Sequence, residues 1–246
     1  MADSPVASVL TDIATHLPSD FLSGAIFLGS LPCTGQTVQD VAHPEAISGV
    51  TELLSADTPD RMLKSREAFL DSCLADPSLI TFETRCTWLG IMGFSLPIGA
   101  GGTLGREQDL NRLFELGSGV SSEETKGDSF SSSYRGQEKS GSNQSKRRGF
   151  PFLVLHGDRD SVINGELLVK LISPRFKHLE VHMLKGCGHT IQYERAEEVA
   201  KLIASFANRV LRQRREEVRP VFFVFSLCLS ETYTGDYEDH SHEAHL

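Results

Sequence analysis

The chain lacks several features that would place it in a specialised class of protein. No apolar run reaches the roughly 20 residues that a membrane-spanning helix needs. The start, MADSPVASVL, has no basic region followed by an apolar one, so no signal peptide is expected. The 5 cysteines, with no C-x-x-C spacing, favour free thiols in a reduced, cytoplasmic setting. With 24 basic against 33 acidic residues, the net charge of −9 argues against a nucleic-acid partner.

The pattern of apolar residues predicts an α/β fold. The 246 residues are enough for one large domain or two small ones with a sizeable core. Short apolar runs typical of buried parallel strands occur at residues 25–28, 152–155 and 179–184. Amphipathic helical periodicity precedes or follows these runs at residues 8–17, 165–172 and 195–211. Alternating helices and apolar strands indicate a small parallel sheet flanked by helices.

Composition divides the chain into five parts. Residues 1–42 and 150–211 carry the helix and strand pattern of the core, and residues 212–246 form an atypical tail. Residues 43–116 contain four stretches that we expect to be helical, at 44–56, 59–75, 77–94 and 106–116. Residues 117–149 hold 10 serines and 6 glycines and almost no large apolar residue, which predicts a disordered insert.

Two polar motifs directly follow the last two strands of the predicted core, HGDRD at 156–160 and GCGH at 186–189. Because the carboxyl ends of parallel strands meet at one edge of a sheet, we expect Asp160 and His189 to lie side by side. A carboxylate that accepts the N–H of an imidazole orients the ring and leaves its other nitrogen to act as a general base. Asp158 is the alternative acid, but we expect its side chain to point to the other side of the turn.

These motifs resemble the α/β-hydrolase fold family, in particular its cap-bearing, fungal-looking serine hydrolases. The resemblance rests on PFLVLHGDRDSVI at 151–163 and GCGHTIQYERAEEVAKLI at 186–203, and it extends back to DIATHLPSDFLSGAIFLGSLPC at 12–33. It implies a partial hydrolase core with a helical cap at 43–116. It also implies that Asp160 is the acid and His189 the base of a Ser…Asp…His triad. A small-molecule ester would be the substrate, with no cofactor.

The chain departs from this family at the nucleophile. No G-x-S-x-G sequence occurs, although the strained strand-to-helix turn of the family uses those glycines. In family register Ser4 stands at the nucleophile's place, with Ala2 and Val6 in place of the glycines. Only three residues precede Ser4, so we expect an N-terminally truncated hydrolase in which the strand that delivers the serine is missing.

Several functions stay open after this comparison. The first is an esterase-like or lipase-like hydrolase that uses Ser4 or a serine from another chain. A carboxylate nucleophile, as in the epoxide hydrolases and dehalogenases of the family, is a further version of it. The second is a catalytically inactive remnant that binds a ligand or a partner. The third is an artefactual truncation of a longer enzyme.

The tail holds two further candidates. A cluster of imidazoles among acidic residues could ligate zinc or nickel, and it consists of His240, His242 and His245. A disordered acidic terminus is the favoured interpretation of that cluster, so no metal site is predicted. Residues 221–229 are apolar and long enough for a strand. We expect them either to pair with the open edge of the strand at 25–28 or to mediate self-association.

We predict that limited tryptic digestion cuts first within residues 117–149, near Lys126, Arg135 or 146–148. A polar segment that buries little surface reaches a protease more readily than folded helices do. Mass spectrometry of the earliest fragments locates the cuts. Early cleavage within residues 43–116, while these bonds resist, would contradict the division of the chain given above.

Overall fold

The computed structural model of the chain describes residues 5–18, 21–94, 106–119, 150–214 and 223–227. Ser4, residues 120–149 and the tail cluster of His240, His242 and His245 lie outside these ranges. The described helices are α1 (Pro5–His16), α2 (Gln36–Val41), α3 (Pro44–Ser55), α4 (Pro59–Ser72), α5 (Phe82–Phe94), α6 (Asn111–Ser118), α7 (Gly165–Ile172), α8 (Ile191–Glu194) and α9 (Ala196–Arg214). The described strands are β1 (Gly24–Leu28), β2 (Pro151–Gly157), β3 (His178–Leu184) and β4 (Phe223–Leu227).

The described strands form one parallel sheet in the order β3-β2-β1-β4. Ile26 of β1 stands in register with Leu153 of β2 on one side and with Phe225 of β4 on the other. The predicted α/β class is therefore confirmed. So is the expected pairing of the apolar tail segment with the edge of β1, over the shorter range Phe223–Leu227.

Both faces of the sheet are covered, as the uninterrupted apolar runs of β1 and β2 require. Side chains alternate along each strand, so Ala25 and Phe27 face one side and Ile26 and Leu28 face the other. The first face packs against buried residues of α1, α6 and α7. The second face packs against the amphipathic helix α9, and Phe206 lies in that contact. These two clusters form the core that supports the site.

Aromatic contacts join the first face of the sheet to helix α6 and to the loop between α7 and β3. The rings of Phe27 and Phe152 meet edge to face at 4.6 Å between centroids. Phe152 also stacks on Phe176 at 4.4 Å, and Phe176 contacts Phe114 of α6 at 6.3 Å. The guanidinium of Arg175 lies over the ring of Phe114 at 4.9 Å. Offset and edge-to-face ring pairs of this kind stabilise a core beyond the area they bury.

Helices α3, α4 and α5 follow β1 and precede β2, and each packs against the next. We call residues 44–94 the helical insertion. One helix was predicted over residues 77–94, and this was wrong, because a short 3₁₀ turn at Pro77–Leu79 precedes α5. The Thr81 side chain accepts the N–H of Thr84 at 3.2 Å and so begins a new helix at Phe82.

The helix predicted at 106–116 begins later, at Asn111, and ends at Ser118. The side chain of Asp109 accepts the N–H of Asn111 at 2.9 Å in the turn before the helix, and the N-cap residue, Leu110, makes no side-chain cap hydrogen bond. The preceding residues instead contact α1, where Arg106 forms an ion pair with Asp12 at 2.7 Å. Gln108 donates to the same carboxylate at 2.9 Å. Residues 106–119 thus pack on the core helix α1, at the far side of the sheet from α9.

None of the helices within the described ranges combines the length and the hydropathy that crossing a membrane requires.

The short helix α2, which the periodicity did not predict, connects β1 to the helical insertion. Its buried residues are Thr37 and Val41.

The position of β4 predicts the effect of shortening the chain. Deleting residues 217–246 removes β4 and leaves the N–H and C=O groups of β1 unpaired along one edge. We expect the deleted form to elute earlier in size-exclusion chromatography, or to precipitate, at micromolar concentration. Deleting only residues 229–246 leaves β4 in place and is the matched control. Identical elution of both forms and the full chain would contradict a role for β4 in covering that edge.

Candidate active site

The predicted acid, Asp160, lies in the loop that leaves β2, residues 158–164, which we call the acid loop. The main chain of this loop forms hydrogen bonds with the end of β3 and with the loop that follows β3. The N–H of Asp158 donates to the carbonyl of Leu184 at 3.1 Å, and the N–H of Arg159 donates to that of Cys187 at 2.8 Å. The strand β2 therefore ends against the same stretch of chain that carries His189.

The predicted base, His189, lies in residues 186–190, which we call the histidine loop. It opens with Gly186 at a φ of +73°, a left-handed conformation that suits glycine. The N–H of His189 donates to the carbonyl of Cys73 at 2.9 Å, and the N–H of Thr190 donates to the same carbonyl at 3.2 Å. The histidine loop is thus held by the main chain just beyond the end of α4, in the helical insertion.

Two glycines allow the strand ends to approach the histidine loop. Gly29, at the end of β1, has a φ of +57°, and a Cβ there would lie 2.6 Å from the carbonyl oxygen of His189. A Cβ on Gly157 would lie 2.1 Å from the carbonyl oxygen of Gly188. Real Cβ atoms do not come this close to a main-chain oxygen, so any other residue at either position would push the loop away from the sheet.

The structure brings Asp160 and His189 into direct contact. The Nδ1 atom of His189 lies 2.7 Å from Oδ2 of Asp160, and both side chains are 1% exposed. A carboxylate accepts hydrogen bonds only, so the hydrogen of the neutral ring is on Nδ1. Nε2 then carries the lone pair, which is the form that a general base requires.

The carboxylate of Asp160 has both oxygens fully hydrogen-bonded. Oδ1 accepts the N–H groups of Val162 at 2.7 Å and Ile163 at 2.9 Å. Oδ2 lies next to two imidazoles, those of His189 and His156. Burial alone would raise the pKa of Asp160. The charge of His189 and the hydrogen bonds from His156 and His189 outweigh burial and hold this pKa well below its usual range.

His156 is the first residue of the HGDRD motif, and the sequence did not predict its contact with Asp160. Its Nε2 lies 3.1 Å from Oδ2 of Asp160 and 3.0 Å from the carbonyl oxygen of Ile163. Both neighbours are acceptors, so Nε2 carries the hydrogen. Its Nδ1 is buried and has no hydrogen-bond partner among the described residues. A charged ring would place a second N–H at that unpartnered position, so the structure favours neutral His156.

The other predicted residues lie apart from this pair or outside the described chain. Asp158 is exposed, and its Oδ1 accepts the N–H of Gly186 at 2.6 Å, so it shapes the turn and does not contact His189. Ser4 lies outside the described residues. No group of three or more candidate metal ligands occurs within the described ranges.

Two buried thiols near this part of the sheet are poor nucleophiles. Burial raises the pKa of the Cys33 thiol, and burial likewise raises that of Cys187. A thiol with a raised pKa stays protonated at neutral pH, and the thiolate is the reactive form. Cys33 instead donates to the hydroxyl of Thr37 at 3.0 Å. These two cysteines therefore behave as small core residues.

Comparison with solved structures assigns the fold. Esterase RhEst1 from Rhodococcus sp. ECU1013 aligns with a TM-score of 0.60 at 19% sequence identity, over 83% of this chain and 62% of that one. MGS-M2, an α/β-hydrolase enzyme from a Medee basin deep-sea metagenome library, aligns with a TM-score of 0.53 at 13% identity, over 82% and 62%. Esterase EaEST from Exiguobacterium antarcticum aligns with a TM-score of 0.52 at 11% identity, over 82% and 63%.

The chain therefore has the α/β-hydrolase fold, in the form of a partial core. It spans less than two thirds of the length of each of these three structures. No protein-family model matches the sequence, and no curated protein does.

The low pKa of Asp160 gives a prediction about acid stability. The unfolded carboxyl has a pKa of about 3.9, so above that pH the ionised acid contributes its full stabilisation. As the pH falls below about 4, the unfolded chain takes up a proton before the native one does, and this contribution is lost. Asp160→Asn should cost roughly 3 kcal/mol of unfolding free energy at pH 5, and less at pH 3.

Urea denaturation of the two proteins at pH 5 and pH 3 measures this difference. Asp158→Asn is the matched control for an exposed turn carboxylate that accepts the N–H of Gly186, and it should cost only about 1 kcal/mol at pH 5. An equal cost of Asp160→Asn at both pH values would contradict the low pKa of Asp160.

Proposed function

We propose that this chain is part of an esterase-like hydrolase, in which Asp160 is the acid and His189 the general base of a serine triad. The observation that carries the proposal is the buried 2.7 Å contact between Nδ1 of His189 and Oδ2 of Asp160, at the carboxyl edge of a parallel sheet. Functional groups collect at this edge in open α/β sheets. The esterase names of two of the aligned proteins support the same reaction class.

The chemistry assigned to the pair is proton transfer. Nε2 of His189 removes the proton from a serine hydroxyl as its oxygen attacks the ester carbonyl carbon. The same proton then passes from the imidazolium to the departing alcohol, which leaves an acyl-enzyme. Water repeats the sequence and releases the acid. Throughout, the ionised Asp160 stabilises the imidazolium and holds the ring in one orientation.

Ser4 is the proposed nucleophile within this chain. It precedes α1, which is the place of the serine in a strand–serine–helix arrangement. The nucleophile turn of the family has glycines where this chain has Ala2 and Val6, and G-x-S-x-G is absent from the sequence. The thiols of Cys33 and Cys187 offer no substitute, because burial keeps them protonated.

The helical insertion is the proposed cap over the site. Its Trp88 packs edge to face on Tyr193 of α8 at 5.1 Å between ring centroids, and α8 directly follows the histidine loop. The hydroxyl of Ser161 in the acid loop donates to the carbonyl of Ser72 at the end of α4. These contacts hold the helical insertion against the chain that carries Asp160 and His189, which is the position proposed for the cap.

A second function, ligand binding without turnover, is favoured by the missing nucleophile motif. The chain keeps the hydrogen bonds that hold Asp160 and His189 together. It has no glycines at the positions that the nucleophile turn of the family requires. A chain with these properties keeps a polar binding site for an ester or its carboxylic acid product. It would not cleave the ester.

We predict that the purified chain does not hydrolyse p-nitrophenyl acetate or butyrate above the background rate. A base without a positioned nucleophile and oxyanion hole supplies little of the barrier reduction that an esterase needs. Release of p-nitrophenol is measured for the chain and for His189→Ala, with His182→Ala as the control for a half-exposed histidine. Turnover that His189→Ala abolishes and His182→Ala retains would overturn this prediction, and Ser4→Ala would then test the nucleophile.

A further inference from the structure

Glu194 contacts two segments that meet at the base. It is the last residue of α8, five positions after His189. Its Oε1 accepts the N–H of Gly188 at 2.9 Å and the hydroxyl of Thr190 at 3.2 Å. Its Oε2 accepts the N–H of Ala75 at 3.2 Å. One carboxylate thus receives donors from both sides of His189 and from the helical insertion.

The two segments are packed main chain against main chain at this point. A Cβ on Gly188 would lie 2.5 Å from the N atom of Ala75 and 2.9 Å from Oε1 of Glu194. The two segments are therefore in close contact at Gly188. Gly188 is buried and its N–H donates to Glu194, so losing this acceptor would leave a buried N–H unpaired, which is costly.

The main chain of His189 itself also contacts the helical insertion. Beside Ala75, the carbonyl of Cys73 accepts the N–H of His189 at 2.9 Å. The end of α4 is therefore connected to the histidine loop twice, through the carbonyl of Cys73 and through the carboxylate of Glu194. A displacement of the helical insertion at this end has to move the main chain of His189 as well.

We propose that Glu194 is a positioning residue for His189 and makes the orientation of its imidazole depend on the helical insertion. It acts on the ring through the main chain of Gly188 and Thr190, without touching the Asp160 carboxylate. The proposal rests on the proposed function only for the role given to His189 as a base. A ligand that shifts the end of α4 would thereby change the hydrogen bond between His189 and Asp160.

The test compares Glu194→Gln with Glu197→Gln. Both changes remove one negative charge, but Glu197 is exposed and pairs only across one helical turn with Lys201 at 3.7 Å. The first measurement is amide hydrogen exchange at Gly188 and Ala75. We expect Glu194→Gln to speed exchange at both amides by about tenfold or more, because hydrogen bonds to charged acceptors are strong, and Glu197→Gln to change neither.

The second measurement is the low-field proton resonance of the His189 Nδ1–H, which reports its hydrogen bond to Asp160. We expect Glu194→Gln to shift or broaden this resonance, and Glu197→Gln to leave it as in the unmodified chain. Faster exchange with an unchanged resonance would show that Glu194 only stabilises the fold and would overturn the proposal. Unchanged exchange at both amides would also overturn it.

Neither measurement needs a substrate or turnover. A chain without esterase activity can therefore still confirm the positioning role, and a failed positioning role leaves the proposed reaction intact. If Glu194→Gln lowers the melting temperature too far for these spectra, Thr190→Val removes the hydroxyl that lies 3.2 Å from Oε1 of Glu194 and 3.3 Å from the carbonyl of Cys73, and it leaves the charge in place. It should shift the resonance in the same direction by a smaller amount, and an unshifted resonance in that variant would count against the proposal.

Discussion

A buried carboxylate, that of Asp160, is the group around which the site is arranged. A charge removed from water is stable only if it is paired and hydrogen-bonded, and leaving it uncompensated costs several kcal/mol. Its donors are the imidazole of His156 in β2, the N–H groups of Val162 and Ile163, and the imidazole of His189. Because these donors lie on the end of β2, the acid loop and the histidine loop, their hydrogen bonds to Asp160 hold the three segments in place relative to one another.

Main-chain contacts, together with the carboxylates of Asp160 and Glu194, hold the histidine loop in place. Gly29 and Gly157 let the sheet approach the histidine loop closely, and the carbonyl of Cys73 reaches it from the helical insertion. Main-chain contacts have little conformational freedom, so the imidazole is oriented before any ligand arrives. Preorganisation of this kind is what makes an electrostatic or acid–base group effective.

The sequence was sufficient to predict the class of fold and the pairing of acid with base. Apolar runs are a direct consequence of strands buried on both faces, and parallel strands bring their carboxyl ends to one edge. These two rules lead from the motifs at 156–160 and 186–189 to adjacent side chains. For the apolar segment at 221–229 the sequence left two outcomes open, pairing with the edge of β1 or self-association, and the structure shows the pairing over Phe223–Leu227.

Contacts that depend on the path of a loop could not be predicted. His156 lies in a buried strand, so its burial follows from the pattern, but its contact with Asp160 depends on how the turn at 157–160 closes. Glu194 looks in the sequence like an ordinary acidic residue near the start of an amphipathic helix. The start of α5 was missed because a single side-chain cap, at Thr81, outweighed the helical periodicity. The start of α6 was missed because residues 106–110 instead contact α1 and the loop after β1.

The described contacts of the pair come from the sheet and the chain packed beside it. Residues of β2, the acid loop, the histidine loop and the end of α4 contact Asp160 or His189 directly, and Glu194 of α8 contacts the residues on either side of His189. The hydrogen bond at Nδ1 keeps the lone pair of the neutral ring on Nε2. A hydroxyl brought within reach of that nitrogen, from Ser4 or from a second chain, would therefore meet a base that is already oriented. In the proposed reaction a positioned hydroxyl and an oxyanion hole would still be required, because the described contacts orient Asp160 and His189 and supply neither of those two elements.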